Sequence, residues 1–426
     1  MTYAAQALKR RVAANAAVLA GLRVAAPFCS LLLVLAVSRR LGAEGLGRYS
    51  LAYAFLAVFG LLGSLGLAER LTRDGARDAG ALGRLLSSGL LLGGAVSLVL
   101  TLGMAGAGRL LGYDPPTTRA LFVLAFAVLP STWLGYFDAA FISLESTAPI
   151  AVATLVEHAA KIGLGVAALV SGFGLEAVLA AAVVGKGAAC AVSWGILRWR
   201  GIRVSLSGDR ASLRSLAAEA PIFTLRAACA TLYWRIDVFL LAHFRPVAEV
   251  GRYTAAYRLL DVAVLFPQSL CLALFPRVAA DRAGEPGWRA EALFWLLLLT
   301  APAALVVSIL ARPLLALLYG PELAIAAPLL SILIWTVAPY AWNRYHAYLL
   351  VAADHQRVDL AINAAMLMLN VALNLALIPH HGAFGAALVT LSTAVVYGAT
   401  QLAWLKHRSF PVQSPFAVLI RGRIQL

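Results

Sequence analysis

The sequence predicts an all-α polytopic membrane protein with about twelve transmembrane helices, arranged as two related halves of six. Hydrophobic residues make up 62% of the 426-residue chain and charged residues only 13%, against roughly 25% charged residues in a soluble domain. One seven-residue phrase also occurs twice, as GRYSLAY at residues 47–53 and as GRYTAAY at residues 251–257. The copies lie about half a chain length apart, and repeated halves are typical of transporters.

Each apolar run of about 20 residues predicts one spanning helix. Helix breakers separate these runs at 63–69, Pro115-Pro116, Ser171-Gly172 and Gly320-Pro321. The glycine-rich run 42–47 is interpreted as a tight turn between the first two helices. The predicted spans are about 13–38, 48–68, 83–106, 118–142, 149–171, 174–197, 220–243, 251–274, 291–319, 323–350, 359–379 and 384–405.

The longest charged loop, residues 198–215, separates six spans from six. It predicts two lobes, residues 1–203 and 204–426, the second ending in a short cytoplasmic tail. With the N-terminus in the cytoplasm, twenty basic residues fall in cytoplasmic segments and seven in outer loops. This bias predicts that both termini are cytoplasmic. The net charge of +15 is therefore attributed to membrane topology and not to a nucleic-acid partner.

Twelve charged side chains remain inside the predicted spans, and basic residues outnumber acidic ones by eight to four. A charge near the bilayer centre costs about 3 kcal/mol or more unless it faces a partner or water. The basic excess therefore predicts a water-filled cavity that suits an anionic ligand. The acidic residues are Asp138, Glu157, Asp237 and Asp261. The predicted cavity cations are Arg23, Lys161, Lys186, Arg226, Arg235 and Arg258.

Several of these charges also have a purely structural interpretation. Three lie toward span ends, where they can snorkel to the interface: Arg312, Arg344 and Asp138. Two pairs have the spacing of ion pairs along a helix: Glu157 with Lys161, and Arg258 with Asp261. Three bases lie well inside their spans with no acid within one helical turn, which makes them the strongest cavity candidates: Arg23, Lys186 and Arg226.

Tyrosines extend the predicted cavity. On a continuous seventh helix, three residues share one stripe because 7 and 11 residues are nearly whole numbers of turns: Arg226, Tyr233 and Asp237. On the eighth helix a second stripe follows i, i+4, i+8 spacing: Tyr253, Tyr257 and Asp261. Tyrosine and arginine on one surface suit sugars and phosphates. The alternative is an interfacial aromatic belt, which fits Tyr49 and Tyr253 better than the deeper Tyr233.

The sequence contains no catalytic motif. It has no phosphate-binding GxxxxGK[ST] loop, no HExxH and no GxSxG. The four cysteines lie in apolar runs without CxxC spacing, and the adjacent His380 and His381 point in different directions on a helix, so no metal site is predicted. We therefore predict a protein that is not an enzyme and needs no cofactor. An H⁺ or Na⁺ gradient, the membrane potential or substrate mass action would drive transport.

Four segments, in order along the chain, resemble polysaccharide flippases of the multidrug/oligosaccharidyl-lipid/polysaccharide exporter superfamily. They are RRLGAEGLGRY (39–49), DVFLL (237–241) with VGRYTAAYR (250–258), LLYGPE (317–322), and NVALNLALIP (370–379) with GAFGAA (382–387). The resemblance implies two six-helix lobes around a central cavity that opens alternately to each side of a bacterial inner membrane.

The resemblance also implies a cargo, an undecaprenyl-diphosphate-linked oligosaccharide that is flipped outward for O-antigen, capsule or exopolysaccharide assembly. Its implied partners are the bilayer, a polysaccharide polymerase and export proteins. One alternative is a cation-coupled small-molecule or drug exporter of the same fold, with Asp237 and Asp261 as coupling residues. A more remote alternative is a membrane glycosyltransferase or polymerase, which would need an extended outer loop that the sequence lacks.

Overall fold

The structure, a computed structural model, describes residues 2–78, 80–202, 204, 213–214, 216–218, 220, 224, 228, 231–280, 286–353 and 355–408. The principal elements in these ranges are helices, in agreement with the predicted all-α class. In chain order they are α1 (Thr2–Ser64), α2 (Leu67–Arg77), α3 (Leu82–Leu110), α4 (Pro115–Ala125), α5 (Val128–Ser143), α6 (Ala148–Val170), α7 (Leu175–Trp199), α8 (Ile236–Phe244), α9 (Val247–Ala280), α10 (Pro286–Ile309), α11 (Ala311–Tyr319), α12 (Ala327–Leu333), α13 (Val337–Ala352) and α14 (Gln356–His407). Two 3₁₀ turns, Pro321–Ala326 and Ile334–Thr336, flank α12.

Nine helical segments in the described part of the chain are long and apolar enough to span a membrane. Two of them, Ala25–Ser64 and Arg357–His407, are long enough for two spans each. Each of these bends at a glycine in the left-handed region, Gly42 (φ 64°) and Gly382 (φ 56°). The predicted seventh span, 220–243, lies largely outside the described residues, and α8 is its described end. The segments therefore agree with a protein of about twelve spans.

Most predicted helix breakers are confirmed. Helix α1 ends before Leu65 and Gly66, α4 begins at Pro115, and left-handed glycines occur at Gly172 and Gly320. The predicted tight turn between the first two helices is confined to Gly42, because residues 43–47 are helical.

A single residue is enough for this bend because the new helical segment is capped by a distant side chain. The backbone N–H of Ala43 donates a hydrogen bond to Glu322 Oε1 at 3.2 Å. The second bend is built in the same way, since the N–H of Ala383, next to Gly382, donates to Glu249 Oε1 at 2.7 Å. In hydrocarbon, backbone groups freed by a kink need such partners.

The chain divides into two compact units. The first contains Met1–Leu41 and Arg48–Arg235, and the second contains Gly42–Gly47 and Ile236–Leu426. In the first unit, Tyr136 and Phe137 lie in a core formed largely by leucines of α2 and α3. In the second, Cys271, Leu293 and Tyr345 belong to a smaller core. The predicted lobe boundary at 203/204 stays a prediction, because much of the sequence around it lies outside the described residues.

The repeated phrase marks a close helix crossing inside the second unit. A Cβ added to Gly47 would overlap the carbonyl oxygen of Val247, and one added to Gly251 would overlap that of Ala43. Ala43 and Val247 each precede their own helix's glycine by four residues. The two glycines therefore meet the opposing backbone in the same way, as small residues do where membrane helices approach closely.

The tyrosines of the phrase also repeat their packing. The rings of Tyr49 and Tyr53 lie 4.5 Å apart in the first unit, and those of Tyr253 and Tyr257 lie 5.5 Å apart in the second. Tyr49 is only 2% exposed and Tyr253 is fully buried. The interfacial-belt interpretation of these two residues is therefore wrong, and the phrase encodes internal packing.

The crossing predicts a strong penalty for the smallest side chain at Gly251. We expect Gly251→Ala to lower the free energy of unfolding by about 1–3 kcal/mol, because the added Cβ must displace the Ala43 backbone. Gly163→Ala on α6 is the matched control, since its Cβ meets no atom within 4 Å. That control should be neutral or stabilising by up to about 1 kcal/mol. Thermal denaturation of the purified full chain measures both, and equal melting temperatures would contradict the crossing.

Candidate functional site

The first unit holds a charged cluster on neighbouring helices. Lys186 Nζ on α7 lies 3.1 Å from Glu157 Oε1 on α6, and both side chains are about four-fifths buried. Gly185 allows this approach, because a Cβ there would lie 2.8 Å from the Glu157 carbonyl oxygen. Lys186 has no acid close to it along its own helix, but the packing of α6 on α7 supplies one.

Lys161 extends this cluster toward α1. It is only 4% exposed, and its Nζ donates a hydrogen bond to Ser30 Oγ at 3.4 Å. Asp138 from α5 lies within electrostatic range of Glu157 and Lys186. Two lysines therefore face two acids, so this cluster is close to electrically balanced. This cluster therefore does not contain the excess of basic residues that was predicted for the spans.

Two strong candidates lie partly or wholly beyond what the structure describes. Arg226 is outside the described residues. Arg23 lies on α1, but its side chain is not among those described. Their assignment as cavity cations stays a prediction.

The end of the seventh span is interrupted near Arg235. Trp234 and Arg235 form a turn, in which their N–H groups donate to the carbonyls of Thr231 and Leu232 at 3.2 and 3.0 Å. A continuous helical stripe therefore does not pass from Tyr233 into α8. Tyr233 packs its ring edge-on against the ring of Trp234, with 5.8 Å between their centroids, and Arg235 is half-buried.

The carboxylate of Asp237, at the start of α8 in the second unit, is fixed in place by hydrogen bonds. Asp237 is buried, and it accepts hydrogen bonds from the Tyr253 hydroxyl and from the Val238 N–H, the latter at 2.8 Å. The Tyr253 hydroxyl also lies 3.3 Å from Thr390 Oγ1 on α14. Asp237 and the first tyrosine of the α9 stripe thus belong to one polar network.

Arg258 and Asp261 lie one turn further along α9 and form an ion pair. Arg258 Nη1 is 3.4 Å from Asp261 Oδ2, as their spacing predicts, and both side chains stay partly exposed. Arg258 Nε and the Tyr319 hydroxyl are enclosed without a hydrogen-bond partner in the structure. Arg258 and Asp261 also lie within electrostatic range of Tyr319. Arg258 Nη2 bonds to none of the described residues and is not among the enclosed polar atoms, so this group keeps a donor that an anionic oxygen can reach.

Sequence reasoning missed a buried amide pair on α14. Asn374 Nδ2 donates to Asn370 Oδ1 at 2.9 Å, and Asn370 Nδ2 donates to Thr393 Oγ1 at 3.3 Å. Their i, i+4 spacing indicated a shared helix face. Both asparagines lie in the segment 370–379 that resembles polysaccharide flippases, and Tyr319 lies in another such segment, 317–322. Among the described residues, no group of three His, Cys, Asp or Glu side chains is arranged to hold a metal ion.

Known proteins resemble this chain in both sequence and fold. A family model described as polysaccharide biosynthesis protein matches residues 12–280, more than half of the chain, and the MatE model matches residues 223–376. A probable low-salt glycan biosynthesis flippase of Haloferax volcanii is 23% identical over 388 residues, which cover 84% of this chain and 76% of the relative.

Two solved structures show the likeness in fold. The lipid II flippase MurJ in an inward closed conformation matches with a TM-score of 0.76 and 14% identity, covering 94% of this chain and 92% of that one. An inward-facing multidrug resistance MATE family transporter matches with a TM-score of 0.69 and 14% identity, covering 95% and 100%. The chain therefore belongs to the polysaccharide biosynthesis protein family and is a flippase of the multidrug/oligosaccharidyl-lipid/polysaccharide exporter superfamily.

Proposed function

We propose that this protein flips an undecaprenyl-diphosphate-linked oligosaccharide across the bacterial cytoplasmic membrane for surface polysaccharide assembly. Family membership and the glycan biosynthesis flippase of Haloferax volcanii support a lipid-linked glycan as cargo. In this proposal both termini are cytoplasmic, and a polymerase and export proteins act on the same pathway. The cargo enters from the inside and leaves outside as the two lobes alternate.

The observation that carries the proposal is the unmet donor capacity of Arg258 inside a span. Its ion pair with Asp261 uses Nη1 and leaves the side chain about a quarter exposed, while Nη2 bonds to none of the described residues and is not among the enclosed polar atoms. A guanidinium presents its N–H groups as a planar fork that matches two oxygens of a phosphate. The diphosphate of the proposed cargo carries such oxygens, whereas a cationic drug would be repelled by the embedded bases.

Loss of the protein should make the lipid-linked cargo accumulate. We expect mass spectrometry of lipid extracts to detect several-fold more undecaprenyl-diphosphate oligosaccharide in a deletion strain than in the parent strain. The lipid accumulates because, in this proposal, the next step of the pathway takes place on the outer side of the membrane. Complementation should reverse this. No accumulation with unchanged surface polysaccharide would contradict the proposal. That result would favour a cation-coupled exporter with Asp237 and Asp261 as coupling residues, the function that the MatE match supports second.

Arg258 should matter more for transport than an exposed arginine of the same helix. We expect Arg258→Ala to lower complementation by about tenfold or more, the factor expected from losing one charge-assisted hydrogen bond. Arg258→Lys, which keeps the charge but loses the fork, should fall between this variant and the wild type. Arg252→Ala is the control, because Arg252 is exposed on α9. Wild-type transport by Arg258→Ala at equal expression would contradict a role in cargo binding.

A double variant separates the two interpretations of Lys186. Lys186→Met alone leaves Glu157 as an unpaired charge, whereas Lys186→Met with Glu157→Gln removes both charges at similar volume. If Lys186 binds the cargo, as predicted, transport should be lost in both variants while the double variant regains wild-type melting behaviour. Recovery of transport in the double variant would show that the lysine only balances Glu157.

A further inference from the structure

Arg344 is a second arginine that the second unit holds inside a span. It lies on α13, eight residues before the helix ends at Ala352, which is about 12 Å along the helix axis. Its Nη2 donates a hydrogen bond to the Tyr340 hydroxyl at 3.1 Å, and Cζ lies 5.3 Å from the centre of the Tyr340 ring. Among the described residues, Arg344 forms no ion pair.

The structure excludes snorkelling as the explanation of Arg344. A snorkelling side chain would extend toward the near end of α13, past Tyr348. The guanidinium instead bonds to Tyr340, one turn farther from that end. Tyr340 in turn donates to Gln268 Oε1 on α9 at 3.4 Å. This network directs the positive charge deeper into the span, where it costs about 3 kcal/mol or more without a partner or water.

The remaining donors of Arg344 are open to contact. Its Nε and Nη1 bond to none of the described residues, and neither is among the enclosed polar atoms, in contrast to Arg258 Nε. The hydroxyls of Tyr348 and Tyr397 lie within electrostatic range. Tyr397 donates its own hydrogen bond to Asp359 Oδ1 at 3.2 Å. The result is an accessible cation lined by tyrosines.

We propose that Arg344, with Tyr340 and Tyr348, forms a second anion-binding site that takes the diphosphate of the lipid-linked cargo. The N–H groups of Nε and Nη1 point in different directions, and each can donate one charge-assisted hydrogen bond to a phosphate oxygen. A phospholipid headgroup is the other source of lipid-borne phosphate, and the position of Arg344 about 12 Å inside the end of its helix favours the cargo over a headgroup. The assignment rests on the proposed function, because it requires a cargo that carries a diphosphate.

Lipid binding to the purified full-length protein tests this site. Native mass spectrometry would titrate undecaprenyl diphosphate, with undecaprenyl phosphate and phosphatidylglycerol as competitors. We expect Arg344→Gln to weaken undecaprenyl diphosphate binding by about tenfold, and Tyr340→Phe to weaken it less, since only an orienting hydroxyl is lost. Arg344→Lys keeps a charge and should rescue binding in part. Arg312→Gln is the control, because Arg312 is exposed at the start of α11.

The outcomes separate this site from the proposed function. If Arg344→Gln and Tyr340→Phe both bind undecaprenyl diphosphate as tightly as the wild type, the site is overturned while the flippase proposal stands. Equal competition by phosphatidylglycerol would overturn the assignment to cargo, because the site would then accept any lipid phosphate. A wild-type protein that binds no undecaprenyl diphosphate would overturn the proposed cargo and this site together. Only variants whose melting temperature equals that of the wild type are compared. If Arg344→Gln does not fold, Tyr340→Phe is used to test the site in its place.

Discussion

The high cost of a charge in hydrocarbon is the constraint on which the functional interpretation depends. A span can hold an ionisable side chain only where protein, water or a ligand replaces the solvation lost in the lipid. Within the first unit, Lys186 meets this condition through Glu157. In the second unit, Arg258 is only partly matched by Asp261, and Arg344 is held by a tyrosine without an acid. Arg258 and Arg344 therefore bring positive charge into the described spans of the second unit that no acid fully matches, which favours an anionic group of the cargo binding there.

A related constraint shapes the backbone. The hydrocarbon core holds no water that could form hydrogen bonds with the peptide groups at a bend. Both long kinked helices therefore bend at a single left-handed glycine, and the N–H of the next residue donates a hydrogen bond to a glutamate side chain. Glu322 and Glu249 are thus structural carboxylates that cap the helical segments after the two bends. Gly47 and Gly251 meet a related need, since their missing side chains allow two backbones to touch.

Sequence periodicity and composition predicted the all-α class, nearly all of the span positions and the Arg258–Asp261 pair, because these depend on spacing along one helix. The partner of Lys186 could not be predicted, since it comes from helix packing that local spacing does not encode. The stripe through Tyr233 assumed an unbroken helix across Trp234 and Arg235, where the structure has a turn, and Arg226 at its other end lies outside the described residues. Snorkelling of Arg344 was a reasonable expectation from its position, but the hydrogen bond to Tyr340 decides its direction.

The central claim is that bases inside the spans bind the diphosphate of a lipid-linked glycan. Translocation in proteoliposomes containing the purified protein tests it most directly, with one labelled saccharide carried on undecaprenyl diphosphate or on undecaprenyl monophosphate. The account predicts protein-dependent transfer of both, with the diphosphate form preferred because it offers the guanidinium groups more oxygens and more charge. Equal transfer of the two forms, or transfer that is insensitive to Arg258→Ala, would contradict it.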